Sequence, residues 1–189
     1  MGMPEMARSW TRDMVLALPE DGNRYELFDG QLLVTPAPRP RHEAAVMILL
    51  ERLFEYLKDS SVGHAYASPA ALTLGEHQYA QPDIYVLPGP RGPAPERWED
   101  VALPILVVEV LSPSTAWNDR QVKRRKFQRL GILEYWIVDL DARLVERWRP
   151  SDTRPEILTD VLLWQPNPES APLTVELNEY FDGVLGQRL

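Results

Sequence analysis

Apolar and polar positions recur along this chain with two different periods, and the changes between them mark out its elements. A short helical pattern runs over 11–18, opened by Thr11 with Asp13 and closed by Pro19. Beyond the turn Asp21-Gly22-Asn23 the period shortens to two. Segments 24–28 and 31–34 flank Asp29-Gly30, which between two short apolar runs predicts a hairpin because glycine tolerates positive φ. After a loop at 35–40, Val46, Leu49, Leu50, Leu53, Phe54 and Leu57 recur at helical spacing, predicting a helix of about 17 residues with one face against a sheet.

Short strands are expected near 64–68 and 71–74, and another over 81–87 with Pro82 at its start, where no ladder donor is needed. The stretch 88–104, rich in proline, glycine and charge, is the longest expected loop. Segment 105–111 is almost continuously apolar, as befits a central strand covered on both faces, except that Glu109 interrupts it. A basic helix over about 118–130 ends at Gly131, and 135–138 is a further buried strand. Strand, helix and strand within roughly 35 residues form a crossover unit, so those two strands should be parallel. The turn Asp139-Leu140-Asp141-Ala142 leads into 144–148, which alternates like an antiparallel edge strand. Weaker strand signals lie at 156–158 and 161–164, and a last helical turn follows Asn178. With no internal repeat and no dividing linker, 1–189 reads as one α/β domain, with its core at about 18–149 and a looser extension over 150–189.

Composition narrows the function classes. The chain has no cysteine, which removes disulfides, thiolate zinc sites and cysteine nucleophiles together and fits a reducing compartment. No apolar run of signal-peptide length lies in 1–13, and none approaches the roughly 20 residues of a membrane span. A cytoplasmic protein outside the membrane is the expectation. The net charge of −8 excludes a general nucleic-acid coat, whose affinity comes from Lys and Arg. A nuclease stays open, because a metal site needs clustered carboxylates and a local basic patch can reverse the field. The 18 prolines in 189 residues, against a usual ~5%, are scattered among apolar segments and so punctuate loops.

Glu109 is the most informative position, since a carboxylate inside an apolar strand costs several kcal/mol unless a metal, a cation or hydrogen bonds compensate it. Asp83, on a strand that could pair beside it, and a lysine of the following helix are the available partners. An ordinary buried ion pair is the plain alternative for Glu109, and a Pro-Asp turn the plain alternative for Asp83. Together, two strand-borne carboxylates and a helix lysine offer metal coordination, charge for a pentacovalent phosphate and a means of holding water.

Gln81-Pro82-Asp83, then Val107-Val108-Glu109-Val110-Leu111-Ser112-Pro113-Ser114-Thr115, then Asp119 with Lys123, Phe127 and Gly131 at intervals of four, resemble the Uma family of bacterial endonuclease-like proteins. This is a branch of the PD-(D/E)xK superfamily. The likeness extends upstream through Leu18-Pro19-Glu20-Asp21, Tyr25-Glu26-Leu27-Phe28-Asp29-Gly30 and Pro40-Arg41-His42, and downstream through Glu134-Tyr135-Trp136-Ile137-Val138-Asp139. It implies a restriction-endonuclease-like α/β fold, a mixed central sheet flanked by helices, and a phosphodiesterase acting on DNA. It further implies that Asp83 and Glu109 hold Mg²⁺ or Mn²⁺, helped by the main-chain carbonyl of Val110, with Lys123 orienting the attacking water and Gln81 as an auxiliary. The general superfamily pattern places lysine two residues after the glutamate, where this chain has Leu111. The lysine must come from elsewhere; the resemblance places it on the next helix, where Lys123 fits because Asp119 lies one helical turn before it, and Lys126, three residues on, is the alternative on the same face.

Two auxiliary positions keep two readings each. Glu26 is a further site carboxylate or a solvated strand residue, and His42 a polar group near the phosphate or a surface histidine at a helix start. Asp119 pairs Lys123 from the start of its helix. Ser112, Ser114 and Thr115 are turn and cap residues, with no glycine-flanked elbow to make a serine nucleophile. Arg120, Arg124, Arg125 and Arg129, with Lys123 and Lys126, form the one dense basic run, either a phosphate-contact surface for DNA or a solvated helix face. Trp98 and Trp117 lie in loops, where either could stack on a base. Related folds cut duplexes as symmetric dimers, so a homodimer is expected. The competing class is a nucleic-acid-binding or regulatory module on the same fold that has lost turnover. A two-carboxylate glycosidase explains neither the lysine nor the basic helix, and no glycine-rich loop supports dinucleotide binding.

Overall fold

The period-two stretch at the start of the chain folds as the predicted hairpin. Strands β1 (Arg24–Phe28) and β2 (Gln31–Thr35) pair antiparallel with Tyr25 opposite Val34 and Leu27 opposite Leu32. Asp29 (φ 51°) and Gly30 (φ 80°) both take the left-handed backbone that a two-residue turn of this hand requires. The computed structural model describes residues 9–58, 60–89, 97 and 101–187. Most of the loop expected at 88–104, with Trp98, lies outside the described residues.

Before the hairpin stands α1 (Arg12–Leu16), capped by the Thr11 hydroxyl, which accepts from the Met14 N–H. After it comes α2 (Pro40–Leu57), which buries Ala45, Val46, Leu49, Leu50, Leu53 and Leu57 along one face, as the spacing predicts, whereas Phe54 of the expected stripe stays half exposed. Strands β3 (Gly63–Ala67), β4 (Leu72–Thr73), β5 (Gln78–Ala80) and β6 (Ile84–Pro88) follow. Strand β5 was not expected, since three residues are too few to show a period. It pairs β1 on one side and β4 on the other, giving a four-stranded sheet in the order β2-β1-β5-β4.

The central sheet has six strands. Strand β7 (Leu106–Val110) leads through α3 (Ala116–Asn118), a π-helical turn (Asp119–Lys123) and α4 (Arg124–Leu130) into β8 (Glu134–Asp139). These two strands are parallel, as the crossover pattern predicts, and Gly131 ends α4 in the left-handed conformation. Strands β9 (Leu144–Trp148) and β10 (Glu156–Leu158) complete the order β10-β9-β8-β7-β6-β3, in which every other pairing is antiparallel. Strand β9 is thus not the edge that its alternation suggested, because β10 covers its free side. The hairpin β11 (Val161–Trp164) and β12 (Leu173–Glu176) and the nine-residue α5 (Leu177–Leu185) follow, longer than the single turn expected there.

Two cores sit on opposite faces of the central sheet. Ile84, Val86, Val108, Val110 and Trp136 pack against Leu49 and Leu53 of α2. The stretch expected as a looser extension adds Leu162, Trp164, Leu177 and Phe181 to the same core. On the other face, Tyr85, Val107, Tyr135 and Ile137 pack against Phe127 of α4 and Phe28 and Leu33 of the first hairpin. Because side chains alternate along a strand, Glu109 projects with Val107 toward this second core. Asp83 stands one residue beyond the Ile84–Val108 pair, which puts it beside Glu109 on the same face. Phe28 meets Phe127 edge-on with centroids 5.8 Å apart, and Asp29 pairs with Lys126 and Arg129, both at 2.7 Å, so the hairpin is fastened to the crossover helix. Among the described residues no helix is long and apolar enough to cross a membrane.

Candidate active site

The π-helical turn is the local device that delivers Lys123. There the Arg124 N–H donates to the Asp119 carbonyl five residues back, and the Tyr135 hydroxyl donates to the same oxygen at 3.2 Å. Such wide turns occur as single interruptions of α-helices, often at functional sites. Lys123 Nζ donates to Glu109 Oε1 at 3.0 Å and lies 2.7 Å from Glu26 Oε2 and 3.3 Å from Asp119 Oδ1. All four side chains are sealed: Glu26 is 0 % exposed, Asp119 1 %, Glu109 and Lys123 2 %. One ammonium therefore faces three carboxylates from β1, β7 and the crossover helix. Lys126, the alternative lysine, pairs instead with Asp29.

Asp83 sits beside this cluster with its own partners. Its Oδ1 accepts from Arg24 Nη1 at 2.8 Å, and its Oδ2 accepts from the Val110 N–H at 2.8 Å and lies 3.0 Å from His42 Nε2. The main chain of Gln81 completes the join, its N–H donating to Glu26 Oε1 at 3.0 Å and its carbonyl accepting from Arg24 at 2.8 Å. The Gln81 side chain turns away to the Tyr79 hydroxyl. Val110 meets Asp83 through its N–H. Asp83, Glu109, Lys123, Glu26 and His42 are thus gathered at one end of β6 and β7.

The charges do not balance. Four buried carboxylates (Glu26, Asp83, Glu109 and Asp119) face two permanent cations, Arg24 and Lys123. Burial pushes the Glu109 carboxyl well above its usual range, more than the neighbouring Lys123 ammonium can offset. Burial raises Asp119 too, against the pull of Lys123. For Lys123 burial works toward the neutral form, but the carboxylates of Glu109, Glu26 and Asp119 outweigh it and hold the ammonium firmly charged. Burial also opposes the charge on Asp83, yet the hydrogen bond from His42 and the Arg24 guanidinium keep this carboxyl far below the ordinary value. His42 shows the complement: desolvation disfavours its charge, and Asp83 raises its pKa nonetheless.

This donor set suits a hard divalent cation. Every side-chain donor is a carboxylate oxygen, the class that Mg²⁺ and Mn²⁺ prefer. Glu26 Oε2 and Asp119 Oδ1 are buried with no aligned hydrogen bond, and the excess negative charge is of the sign that a cation removes. Among the described residues no three acidic or histidine side chains are already gathered as ligands.

The basic run divides. Arg120 donates to Asp139 at 2.8 Å and to Glu146 at 2.6 Å. Arg124 stacks over Trp148, 4.5 Å from the ring centroid, and bonds Gln128. Arg125 bonds Gln121, and Arg129 bonds Asp29. Arg124, Arg125 and Arg129 are not brought to the carboxylate cluster. Ser112, Ser114 and Thr115 bond one another in the turn after β7, as turn residues do. Arg24 is the residue that reading the sequence missed; it stands two positions before Glu26 in β1, and that spacing puts both on one face of the strand.

A family model described as "Uma2: Putative restriction endonuclease" matches residues 12–178. A solved structure described as a putative nuclease belonging to DUF820, from Anabaena variabilis, is similar with a TM-score of 0.74. Its sequence is 24% identical, and the match covers 93% of this chain and 99% of that one. No curated protein matches the chain. The structural likeness shows a shared fold, the restriction-endonuclease-like arrangement of a mixed sheet flanked by helices.

Proposed function

The chain belongs to the Uma2 family, and we propose that it is a divalent-metal-dependent DNA endonuclease that hydrolyses phosphodiester bonds at the Asp83–Glu109–Lys123 cluster. The observation that carries this reading is the buried excess of acids: four carboxyl groups against two permanent cations, gathered from β1, the start of β6, β7 and the crossover helix. An ordinary structural ion pair gains nothing from the extra acids, which must either give up their charge, the direction in which burial pushes Glu109 and Asp119, or find a further cation. Asp83 and Glu109, with the main chain at Val110, would hold Mg²⁺ or Mn²⁺. When bound, the cation polarises a phosphoryl oxygen and eases deprotonation of water.

The chain's own groups have separable tasks. Lys123, fixed by three carboxylates, holds Glu109 in place and presents positive charge where the phosphoryl group gains negative charge. Arg24 and His42 hold Asp83 ionised and oriented. Hydrolysis adds water across one P–O ester bond, leaving a phosphate monoester and a free hydroxyl.

The test is cleavage of plasmid and oligonucleotide DNA with and without Mg²⁺ or Mn²⁺. Turnover should require the metal and vanish in Glu109→Gln while the circular dichroism spectrum stays unchanged. Undiminished cleavage in excess chelator would sink the metal mechanism. A second reading, a binding module without turnover, draws on the sealing of Asp83, Glu109 and Lys123, each 2 % exposed. It predicts metal-independent DNA binding and no cleavage of any substrate under any metal.

A further inference from the structure

The buried cluster reaches the surface through two residues, Arg24 and His42, and both line clefts. A cleft of about 230 Å³ is lined by Arg24, Arg39, His42, Ser112, Ser114 and Thr115, among others. A second, of about 410 Å³, is lined by Arg39, Arg41, His42, Ser112, Arg120 and the turn after β8. Sharing Arg39, His42 and Ser112, the two are halves of one groove, and His42 Nε2 at its middle lies 3.0 Å from Asp83 Oδ2. Resting on the nuclease reading above, we infer that this groove, with Arg39 and Arg41 on its rim, is the track for the sugar–phosphate backbone of duplex DNA, in place of the outer face of the basic helix.

Charge supports the assignment. The smaller cleft is lined by two arginines and no acid, and the larger by three arginines and two acids, Asp139 and Asp141; with Arg24 held by Asp83 and Arg120 by Asp139 and Glu146, the charge open to a ligand is that of Arg39 and Arg41. In a protein of net charge −8, a positive groove at the candidate site is the feature a polyanion would find. Availability supports it further. Arg39 and Arg41 are exposed, and neither forms an ion pair with a carboxylate among the described residues. The basic helix has committed most of its cations: Arg120 to two acids, Lys126 and Arg129 to Asp29, and Arg124 to the Trp148 ring, while the exposed Arg125 bonds the neutral Gln121.

The chain also holds these arginines ready. Pro36, Pro38 and Pro40 stiffen the approach to α2, and Arg39, which precedes Pro40, is kept extended at φ −86°, ψ 156°. Less conformational freedom is then lost when a phosphate binds. The N-terminus of the 18-residue α2 opens here with no side-chain cap, leaving its first N–H groups and the positive dipole end toward the groove. His42 supplies an independent sign of a missing partner. It is 7 % exposed, and its Nδ1 has no hydrogen bond, the Glu43 carboxylate being 3.6 Å away.

The experiment measures affinity for a fluorescent DNA duplex against salt concentration, in a Glu109→Gln background that prevents cutting. Arg39→Ala with Arg41→Ala is compared with Arg124→Ala plus Arg125→Ala. Each lost phosphate contact lowers the slope of log affinity against log salt by about 0.9, so the groove variant should lose roughly 2 from its slope and the helix variant nothing. Both arginines are exposed, so melting temperature should not change. Equal losses, or a loss only in the helix variant, would overturn the groove assignment and leave the nuclease reading standing. A parent protein that binds no duplex at any salt concentration would overturn both.

Discussion

The Lys123 ammonium lies 2.7 Å from the Glu26 carboxylate, a contact that ties the crossover helix to the first hairpin through the interior of the protein. The same nitrogen donates to Glu109 on the central strand, so three separately folded pieces share one buried charge.

Removing that charge should be costly and removing one acid should not. Lys123→Met leaves three buried carboxylates without a cation and should lose about 3–5 kcal/mol, the usual range for breaking a buried pair on one side. Glu26→Gln relieves the excess of acids and should stay within about 1 kcal/mol of the parent, near the net value of one hydrogen bond. Urea unfolding in chelator compares them, and equal losses would show that Glu26 is not part of an over-acidic cluster.

A cation that binds only the folded chain must stabilise it. Saturating Mg²⁺ or Mn²⁺ should raise the melting temperature, by an amount corresponding to about 2.7 kcal/mol at a hundred times the dissociation constant. Asp83→Asn and Glu109→Gln should abolish the rise. A rise of the same size in all three proteins would place the cation elsewhere, whatever the cleavage assays show.

Asp29 gives a prediction with a sign in pH. Hydrogen bonds and charge from Lys126, and then from Arg129, hold its carboxyl below the ordinary value. A lowered folded-state pKa gives stability that is present above the unfolded value, about 3.9, and lost as pH falls through the folded one. Asp29→Asn keeps a residue tolerant of the left-handed turn but removes the charge. Because the side chain is 51% exposed, the loss should be under about 1 kcal/mol near neutral pH. It should shrink at acid pH, as the lowered folded-state value is passed and the folded and unfolded forms both lose the charge. Denaturant titrations at the two pH values read it, and a loss that did not depend on pH would assign the effect to the turn alone.

The contact between hairpin and crossover helix should be strongly stabilising. Phe127 is fully buried, with ring centroids 5.8 Å from Phe28 and 5.2 Å from Tyr135. Phe127→Ala should cost about 3–5 kcal/mol by unfolding in denaturant. A cost below about 1 kcal/mol would mean that the second core collapses around the gap.

Much of the frame can be read from near neighbours in the chain. Asp29-Gly30 specifies its hairpin because both residues accept positive φ, and the apolar spacing of α2 specifies its buried face because positions three and four apart share a side of a helix. Glu109 betrays the site in the same way, as one carboxylate in a run of apolar residues that only a compensating group could stabilise. Lys123 could be singled out only as far as a choice with Lys126, since both belong to one basic helix.

Tertiary structure made that choice, and others that no local pattern encodes. Which lysine turns inward depends on a π-helical turn and on Asp29, which draws Lys126 outward from another element. Whether a basic run is free to meet phosphate depends on acids brought to it from afar, here Asp29, Asp139 and Glu146. Strand β9 looked like an edge because alternation reports which residues are buried on a face, not whether a neighbour covers the strand's side, and β10 does. Arg24 joins the cluster through long-range packing, whereas Asp119, one helical turn before Lys123, is its local partner. Periodicity is a property of residues a few positions apart, whereas the pairing of buried charges is settled by long-range packing, which alone brings Arg24 to Asp83 and Lys123 to Glu26.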